Sequence, residues 1–265
     1  MSGLCLLGLL AQVGYALSSY KAEALMIDAG HAGNSSGPEA ALEYYLRAEA
    51  WGPGDPMLYY LQGLQWSKLG KFPEAKTAYA RSLKYAPGTP ITLIKYAEVL
   101  AHSGEAQAAE EAIGRALEIA PSDSMAQEIA GLVRGVQGDY AGAANRFERA
   151  VKLSPNPSSK LLNHLAYSLY KVGDNGRALR HVDRALRRDA LHPGNHLLRG
   201  KILLAMNRPD DAAAALAAAE REYLRRLDAG PFNTDKLDET RRYLALARMT
   251  RDASVASASL REANR

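Results

Sequence analysis

An all-α fold built from stacked helix pairs is the class that the sequence predicts, and three periodic features predict it. Proline, glycine and alanine each return at an interval of 34 residues. The recurring residues are Pro87, Pro121 and Pro155, Gly70, Gly104 and Gly138, and Ala75, Ala109 and Ala143. A fixed period of this length is typical of helix-turn-helix units, each of which buries its apolar face only against its neighbours. The sequence therefore predicts an α-solenoid rather than a compact globule.

The composition agrees with this class. Hydrophobic residues make up 47% of the 265 residues, which is ample for a continuous core. A net charge of +4 is only mildly basic, so no nucleic-acid partner is expected. The single cysteine, Cys5, cannot form an internal disulfide, and this leaves the cellular compartment open.

The chain begins with an apolar segment, predicted over residues 1–20. No charged side chain occurs from Ser2 to Tyr20, and the densest apolar run is Leu4 to Ala11. An uncharged stretch of about 18 residues is a candidate membrane-spanning helix. A cleaved signal segment and an apolar helix packed on the first repeat are the alternatives. Membrane contact through residues 2–20 is therefore expected, with the repeats periplasmic or otherwise extracytoplasmic, and a cytoplasmic location as the alternative.

A degenerate leading repeat is predicted over residues 21–55. The segment Gly30–Pro38 is rich in glycine, serine and asparagine and indicates a loop. A first helix is expected over Lys21–Ala29, before this loop. A second helix is expected over residues 39–50, where the 34-residue period begins.

Five repeats are predicted over residues 56–226. The period slips by one residue at Pro157-Ser158 and is otherwise kept. In the fifth repeat Asn207 replaces the turn glycine, which is tolerable because asparagine also adopts the left-handed conformation. A polar capping helix is expected over residues 227–250, and a disordered tail over 251–265.

Small side chains are expected where the two helices of a repeat cross, since a larger one would overpack the contact at about 1–3 kcal/mol. The first helices carry Gly63, Ala97, Gly131, Ala166 and Gly200, and the second helices carry Ala75, Ala109, Ala143, Ala178 and Ala212. Together with the turn glycines and the prolines, this pattern resembles the tetratricopeptide repeat over residues 56–226. The resemblance implies a right-handed superhelix whose concave groove holds a peptide or helix of a partner protein.

The resemblance also implies which residues face that groove, namely the second, fifth, ninth, twelfth and thirteenth of each repeat. The candidate groove residues are Tyr60, Leu64, Lys68, Ile94, Glu98, Glu128, Lys160, Asn163, Tyr167, Tyr170, Lys171 and Lys201. These positions are mainly apolar in the first three repeats and rich in tyrosine and lysine in the fourth. A partner segment with an apolar half and an acidic end would suit them.

Nothing in the sequence indicates catalysis. No phosphate-binding glycine loop or serine nucleophile elbow occurs, and the carboxylates scatter over helix surfaces. His192 and His196 lie four apart but have no third metal ligand. The prediction is a non-catalytic scaffold without cofactor or metal, membrane-tethered or exported. An accessory module in bacterial envelope assembly, such as polysaccharide or pilus biogenesis, and a soluble cytosolic adaptor are the alternatives.

Overall fold

The computed structural model describes residues 2–52, 54–228 and 234–263, with side chains for 14–52, 54–228 and 234–257. The described residues form thirteen α-helices and no strand, which confirms the predicted all-α class. The helices are α1 (Ser2–Ser35), α2 (Pro38–Glu49), α3 (Pro56–Lys68), α4 (Phe72–Tyr85), α5 (Pro90–His102), α6 (Ala106–Ile119), α7 (Ser124–Val136), α8 (Tyr140–Leu153), α9 (Ser159–Lys171), α10 (Asn175–Arg188), α11 (Pro193–Ala205), α12 (Pro209–Asp228) and α13 (Asp235–Ala263).

The chain divides into two compact units, residues 1–137 and 138–265. In the first unit the pairs α1/α2, α3/α4 and α5/α6 stack in order, and α7 packs on α5 and α6. In the second unit α8 packs on α9 of the pair α9/α10, the pair α11/α12 follows, and α13 packs mainly on α12. Each unit is thus a stack of helix pairs, as an α-solenoid requires.

Short polar side chains and turn residues set where the helices begin and end. The side chains of Asp55, Asp123 and Ser158 accept hydrogen bonds from backbone N–H groups in the first turns of α3, α7 and α9. The turn glycines Gly70, Gly104, Gly138 and Gly173 have positive φ, and Asn207 has a φ of 55°. The left-handed conformation predicted for Asn207 is therefore confirmed.

The two helices of a pair approach closely because a glycine, which has no side chain, lies where they cross. A Cβ atom at Gly63 would lie 2.6 Å from the ring of Tyr79, and one at Gly200 would lie 2.5 Å from Leu216. Both distances are far inside van der Waals contact, and Tyr79 and Leu216 are completely buried. The prediction that these two positions require small residues is confirmed.

The loop predicted over residues 30–38 is wrong up to Ser35, because α1 continues through it. Packing against α2 outweighs the low helix propensity of the glycines there. Ala22, Leu25 and Ala29 are buried, and a Cβ atom at Gly33 would lie only 3.1 Å from the Cβ of Ala41. A residue that looks like a helix breaker in the sequence therefore allows close approach of α2.

The C-terminal region also differs from the expectation. Helix α13 continues to Ala263, beyond the capping helix expected to end at residue 250, so the structure shows helix where the sequence predicts a disordered tail. The helix that precedes it, α12, has 20 residues, whereas α10 has 14. The extra residues of α12 displace α13 from the 34-residue period.

The predicted N-terminal membrane segment is only partly described. Residues 2–20 belong to α1, but the side chains of residues 1–13, which carry the apolar run, lie outside the described residues. In the part of the chain that the structure describes, no helix has the length and apolar character needed to cross a membrane.

Candidate functional site

The candidate site is the set of groove positions, defined as the second, fifth, ninth, twelfth and thirteenth residues of α3, α5, α7, α9 and α11. In the first unit the second position is held by Met57, Ile91 and Met125, one period apart. Their exposed fractions are 55%, 38% and 41%, although all three are apolar. Burying such side chains against a partner is favourable at about 25 cal/mol per Å² of apolar surface.

A small pocket lies between two of these residues. It has a volume of about 110 Å³ and is lined by Pro56, Met57, Tyr60, Ser82, Thr89, Ile91 and Thr92. The hydroxyl of Ser82 is not available at its wall, since it donates a hydrogen bond to the carbonyl of Pro56 over 2.7 Å. The remaining surface would accept an apolar side chain.

Tyr60 and Leu64 of α3 are half-buried and pack on the small core around Tyr79. The ring centroids of Tyr60 and Tyr79 are 6.0 Å apart. Burial raises the pKa of Tyr60, so its hydroxyl is neutral near neutral pH. Each of these two residues is thus partly exposed to solvent and also packs on neighbouring helices.

Ile94 was predicted to face the groove, but its side chain is buried and only 1% exposed. It belongs to the core formed by α5, α6 and α7, where it packs with residues such as Leu93 and Ile129. Glu98 of the same helix is half-buried and paired with Lys95 over 2.8 Å. Of the other predicted residues, Lys68 is exposed and Glu128 is half-buried.

In the second unit the groove positions of α9 form an aromatic and basic surface. Tyr167 is 40% exposed, and its ring meets that of Tyr140 edge-on at a centroid distance of 6.0 Å. The ammonium group of Lys171 lies 5.1 Å from the ring centroid of Tyr140, within range of a cation–π interaction. Tyr170 is half-buried, and burial raises its pKa. The structure thus brings Tyr167 and Lys171 together around Tyr140.

Lys160 is exposed at the start of α9, whereas Asn163 is part of a polar ladder. The Asn163 amide donates to Oδ1 of Asn195 over 2.7 Å, and the Asn195 amide donates to the hydroxyl of Ser159 over 2.9 Å. Ser159 in turn donates to the carbonyl of Ala185 over 3.1 Å. Asn163 therefore joins α9 to α11 and is only partly available to a ligand.

Lys201 of α11 contacts α13. Its ammonium group forms an ion pair with Glu239 and lies 4.8 Å from the ring centroid of Tyr243. Lys236 also pairs with Glu239, over 2.7 Å. Burial alone would raise the pKa of Glu239, but the hydrogen bonds from Lys201 and Lys236 outweigh it and lower that pKa. Glu239 is thus a carboxylate held between two lysines.

This contribution of α13 was not predicted from the sequence. Counted from Asp235, the second, fifth, ninth and twelfth residues of α13 are Lys236, Glu239, Tyr243 and Leu246. Glu239, Tyr243 and Leu246 line a pocket of about 490 Å³ together with Asp235 and Arg242. The sequence contains this pattern of groove positions, but it is recognised only when positions are counted from Asp235, the first residue of α13.

The burial pattern of α13 supports this alignment. Thr240, Leu244 and Ala247 are buried with Leu237 on the side that faces the preceding pair. The fourth, seventh and eighth residues, Asp238, Arg241 and Arg242, are exposed. In α9 the same positions hold the buried residues Leu162, Leu165 and Ala166. Helix α13 therefore occupies the place of a first helix, but no second helix covers it. Polar residues stand at the positions that a second helix would bury.

Among the residues that the structure describes, no group of three or more histidine, cysteine, aspartate or glutamate side chains could hold a metal ion. The ring of His192 instead caps α11, since its Nδ1 accepts a hydrogen bond from the backbone N–H of Asn195 over 3.3 Å.

Comparison with known proteins locates the repeats in the sequence. A family model described as a tetratricopeptide repeat matches residues 60–124. A model described as subunit 3 of the anaphase-promoting complex, or cyclosome, matches residues 136–219. No curated protein matches the chain by sequence.

Several solved structures share the fold. A chain of the APC/C hetero-tetramer Cut9-Hcn1 superposes with a TM-score of 0.75 at 15% identity, covering 88% of this chain and 45% of that one. This chain therefore spans less than half of that relative. PilW, described as a widely conserved type IV pilus biogenesis factor, has a TM-score of 0.69 at 17% identity and coverages of 82% and 97%. A tetratricopeptide repeat protein from Parabacteroides merdae has a TM-score of 0.65 at 18% identity and coverages of 86% and 84%.

Proposed function

Because the chain is a tetratricopeptide repeat protein, we propose that it is a non-catalytic scaffold that holds a peptide or helix of a partner protein at its groove positions. The observation that carries this proposal is the exposure of large side chains at those positions. Met57, Ile91 and Met125 are exposed in the first unit, and Tyr167 is exposed in the second. Stacking requires none of them to be apolar or aromatic, whereas a partner surface would.

The proposal is tested by removing two aromatic side chains from the second unit. Tyr167→Ala together with Tyr170→Ala should reduce capture of a partner by the tagged chain at least tenfold, as loss of aromatic anchors does at protein interfaces. The measurement is quantitative pull-down followed by mass spectrometry, with far-ultraviolet circular dichroism to confirm unchanged helix content.

The matched control removes an exposed tyrosine elsewhere. Tyr85 lies at the end of α4, outside the groove positions, and is exposed. Tyr85→Ala should leave capture unchanged. Unchanged capture by the double variant would count against the groove as the binding site.

We propose further that α1 either anchors the scaffold to a membrane or directs its export. The segment from Ser2 to Tyr20 carries no charge, and the four consecutive residues Gly14, Tyr15, Ala16 and Leu17 are all exposed. Four consecutive residues cover every side of a helix, so the described chain buries no side of this turn. A lipid surface is the environment that suits such a helix.

Accessory work in envelope assembly is a second candidate, favoured by the fold shared with the pilus biogenesis factor PilW and by the uncharged start of α1. Fractionation of a C-terminally tagged chain separates this candidate from a soluble cytosolic adaptor. Recovery with membranes or in the periplasm is expected. Recovery only in the soluble cytosol would contradict both the membrane anchor and the role in envelope assembly, but it would not contradict the scaffold function.

A further inference from the structure

The groove surface of the second unit continues onto α13. Three successive helices, α9, α11 and α13, present their groove positions there, and the last two are joined by the contact of Lys201 with Glu239 and Tyr243. The pocket of about 490 Å³ lies on α13. Its lining residue Leu246 is apolar and exposed.

The charge at the groove positions of this surface is mainly positive, and the pocket lining adds Asp235 and Arg242, whose charges offset each other. Counting α13 in the same way as the other helices, the groove positions of the second unit hold four lysines against one glutamate. They are Lys160, Lys171, Lys201 and Lys236, with Glu239. Glu239 accepts hydrogen bonds from both Lys201 and Lys236, so it offsets one of their two positive charges and leaves the groove positions with a net positive charge. The surface is therefore complementary to negative charge.

The aromatic groups on the same surface narrow the chemistry of the partner. Tyr167 and Tyr170 of α9 and Tyr243 of α13 stand among the lysines. Burial raises the pKa of Tyr167 and Tyr170, so these rings are neutral hydrogen-bonding and packing surfaces near neutral pH. Tyrosine next to lysine suits a chain that alternates carboxylates with apolar side chains. Phosphate groups alone would make no use of the exposed apolar side chain of Leu246.

We infer that α13 forms part of the binding surface of the second unit and that this surface takes an acidic peptide segment with apolar residues between its carboxylates. The inference rests on the proposed scaffold function and adds the chemistry of the partner and the residues of α13. The carboxylates pair with Lys171 of α9 and Lys236 of α13, and an apolar side chain enters the pocket beside Tyr243 and Leu246.

The test is selection from a random library of twelve-residue peptides displayed on phage, with the full-length chain as bait. Selected peptides should be enriched in aspartate and glutamate, with leucine or an aromatic residue between them. The affinity of the strongest synthetic peptide is then measured by fluorescence anisotropy against variants of the full chain.

Three variants decide the outcome. The double variant Lys171→Glu, Lys236→Glu should lower the affinity for the peptide on the order of tenfold, because two favourable charge contacts become repulsive. Leu246→Asp should weaken it several-fold, and since Leu246 is exposed this variant should fold normally. Arg187→Glu with Arg188→Glu is the control, since it makes the same change in net charge on the exposed end of α10 and should change affinity less than twofold.

The negative results separate this inference from the proposed function. Selection of peptides without acidic enrichment, or binding that responds to Tyr167→Ala but not to Leu246→Asp or the lysine variant, overturns the inference and leaves the scaffold function standing. Failure to select any peptide also overturns it, and binding of DNA or phosphatidylglycerol vesicles through the same lysines would then identify the alternative ligand. Unchanged partner capture by the double tyrosine variant is the separate result that removes the scaffold proposal.

Discussion

The two units present different chemistry at the same structural positions. The first unit carries Met57, Ile91 and Met125 at its groove positions and has one lysine against two glutamates there. The second unit carries Tyr167, Tyr170 and Tyr243 and has four lysines against one glutamate. The helix pairs that display them follow the same pattern of small residues and turns. Stacking therefore fixes one set of positions and leaves another free to set the binding chemistry.

The interiors of the units differ as well. At the third position of its first helices the first unit buries Leu58, Thr92 and Ala126, whereas α11 of the second unit buries Asn195. Asn195 is bonded on both sides, to Asn163 and Ser159. At this position α11 is thus joined to α9 by polar contacts that need matched partners, whereas α3 and α7 bury apolar side chains there. Stability should respond to mutation and to pH differently in the two units.

The comparison can be measured unit by unit, because both tryptophans lie in the first unit. They are Trp51 and Trp66, and the chain has two in all. Tryptophan fluorescence therefore reports unfolding of the first unit, while circular dichroism reports helix loss in both.

The largest effect is expected from adding a methyl group where helices cross. Gly63→Ala should destabilise the first unit by about 1–3 kcal/mol, because the new Cβ would lie 2.6 Å from the ring of the buried Tyr79. Gly200→Ala should cost the second unit a similar amount, since the new Cβ would lie 2.5 Å from Cγ of the buried Leu216. Urea unfolding followed by tryptophan fluorescence and by circular dichroism assigns each loss to its unit.

Two other helix glycines provide the controls. At Gly114 of α6 and Gly176 of α10 a Cβ atom would meet no neighbouring atom within 4 Å, so alanine there should stabilise by about 0.5–1 kcal/mol. A loss of stability in the controls would show that overpacking is not the cause. Equal shifts of both signals in Gly63→Ala would show that the units do not unfold separately.

The next effect concerns the polar ladder. Asn195→Ala should destabilise the second unit by about 1–3 kcal/mol, because it leaves the amide of Asn163 and the hydroxyl of Ser159 without the partners they have in the native chain. Circular dichroism should record the loss and tryptophan fluorescence should not. Ala126→Ser, at the equivalent position of α7 in the first unit, tests the reverse change, a polar group placed in an apolar contact.

How far the sequence could predict these features depends on which contacts repeat. The helix pairs, the small residues at Gly63 and Gly200 and the turn at Asn207 were predictable, because each recurs in every repeat for one local reason. The helical path of α1 through Gly33 was not, because it depends on packing against Ala41. The buried position of Ile94 and the groove residues of α13 were also missed. The burial of Ile94 depends on how α5, α6 and α7 pack in one unit. The residues of α13 were missed because the longer α12 moves α13 out of the 34-residue period.

Mild acid should distinguish the units through histidine. Burial lowers the pKa of His181 and His192 in the second unit below the ordinary value of 6.5. Their contribution to stability is therefore complete above about pH 6.5 and is lost as the pH falls through that value toward the folded pKa. Hydrogen exchange of the second unit, corrected for intrinsic rates, should accelerate as the pH falls from 7.5 to 5.5. His181→Gln should reduce this response, and an equal response in the first unit would contradict it.

The smallest expected effect belongs to Glu239 and emerges at lower pH. The hydrogen bonds from Lys201 and Lys236 hold its folded pKa below the ordinary value of 4.5, so its contribution is present above about pH 4.5 and is lost as the pH falls through the folded pKa. The contribution should be about 0.5 kcal/mol, since the pair is partly exposed to solvent and screened by salt. Glu239→Gln should remove the loss of stability of the second unit between pH 5 and 3, whereas Glu74→Gln, an exposed residue of α4, should leave it unchanged. If Glu239→Gln left the acid response intact, α13 would be held by its apolar contacts with α12 alone, and Lys201 would be available to a partner without displacing an internal carboxylate.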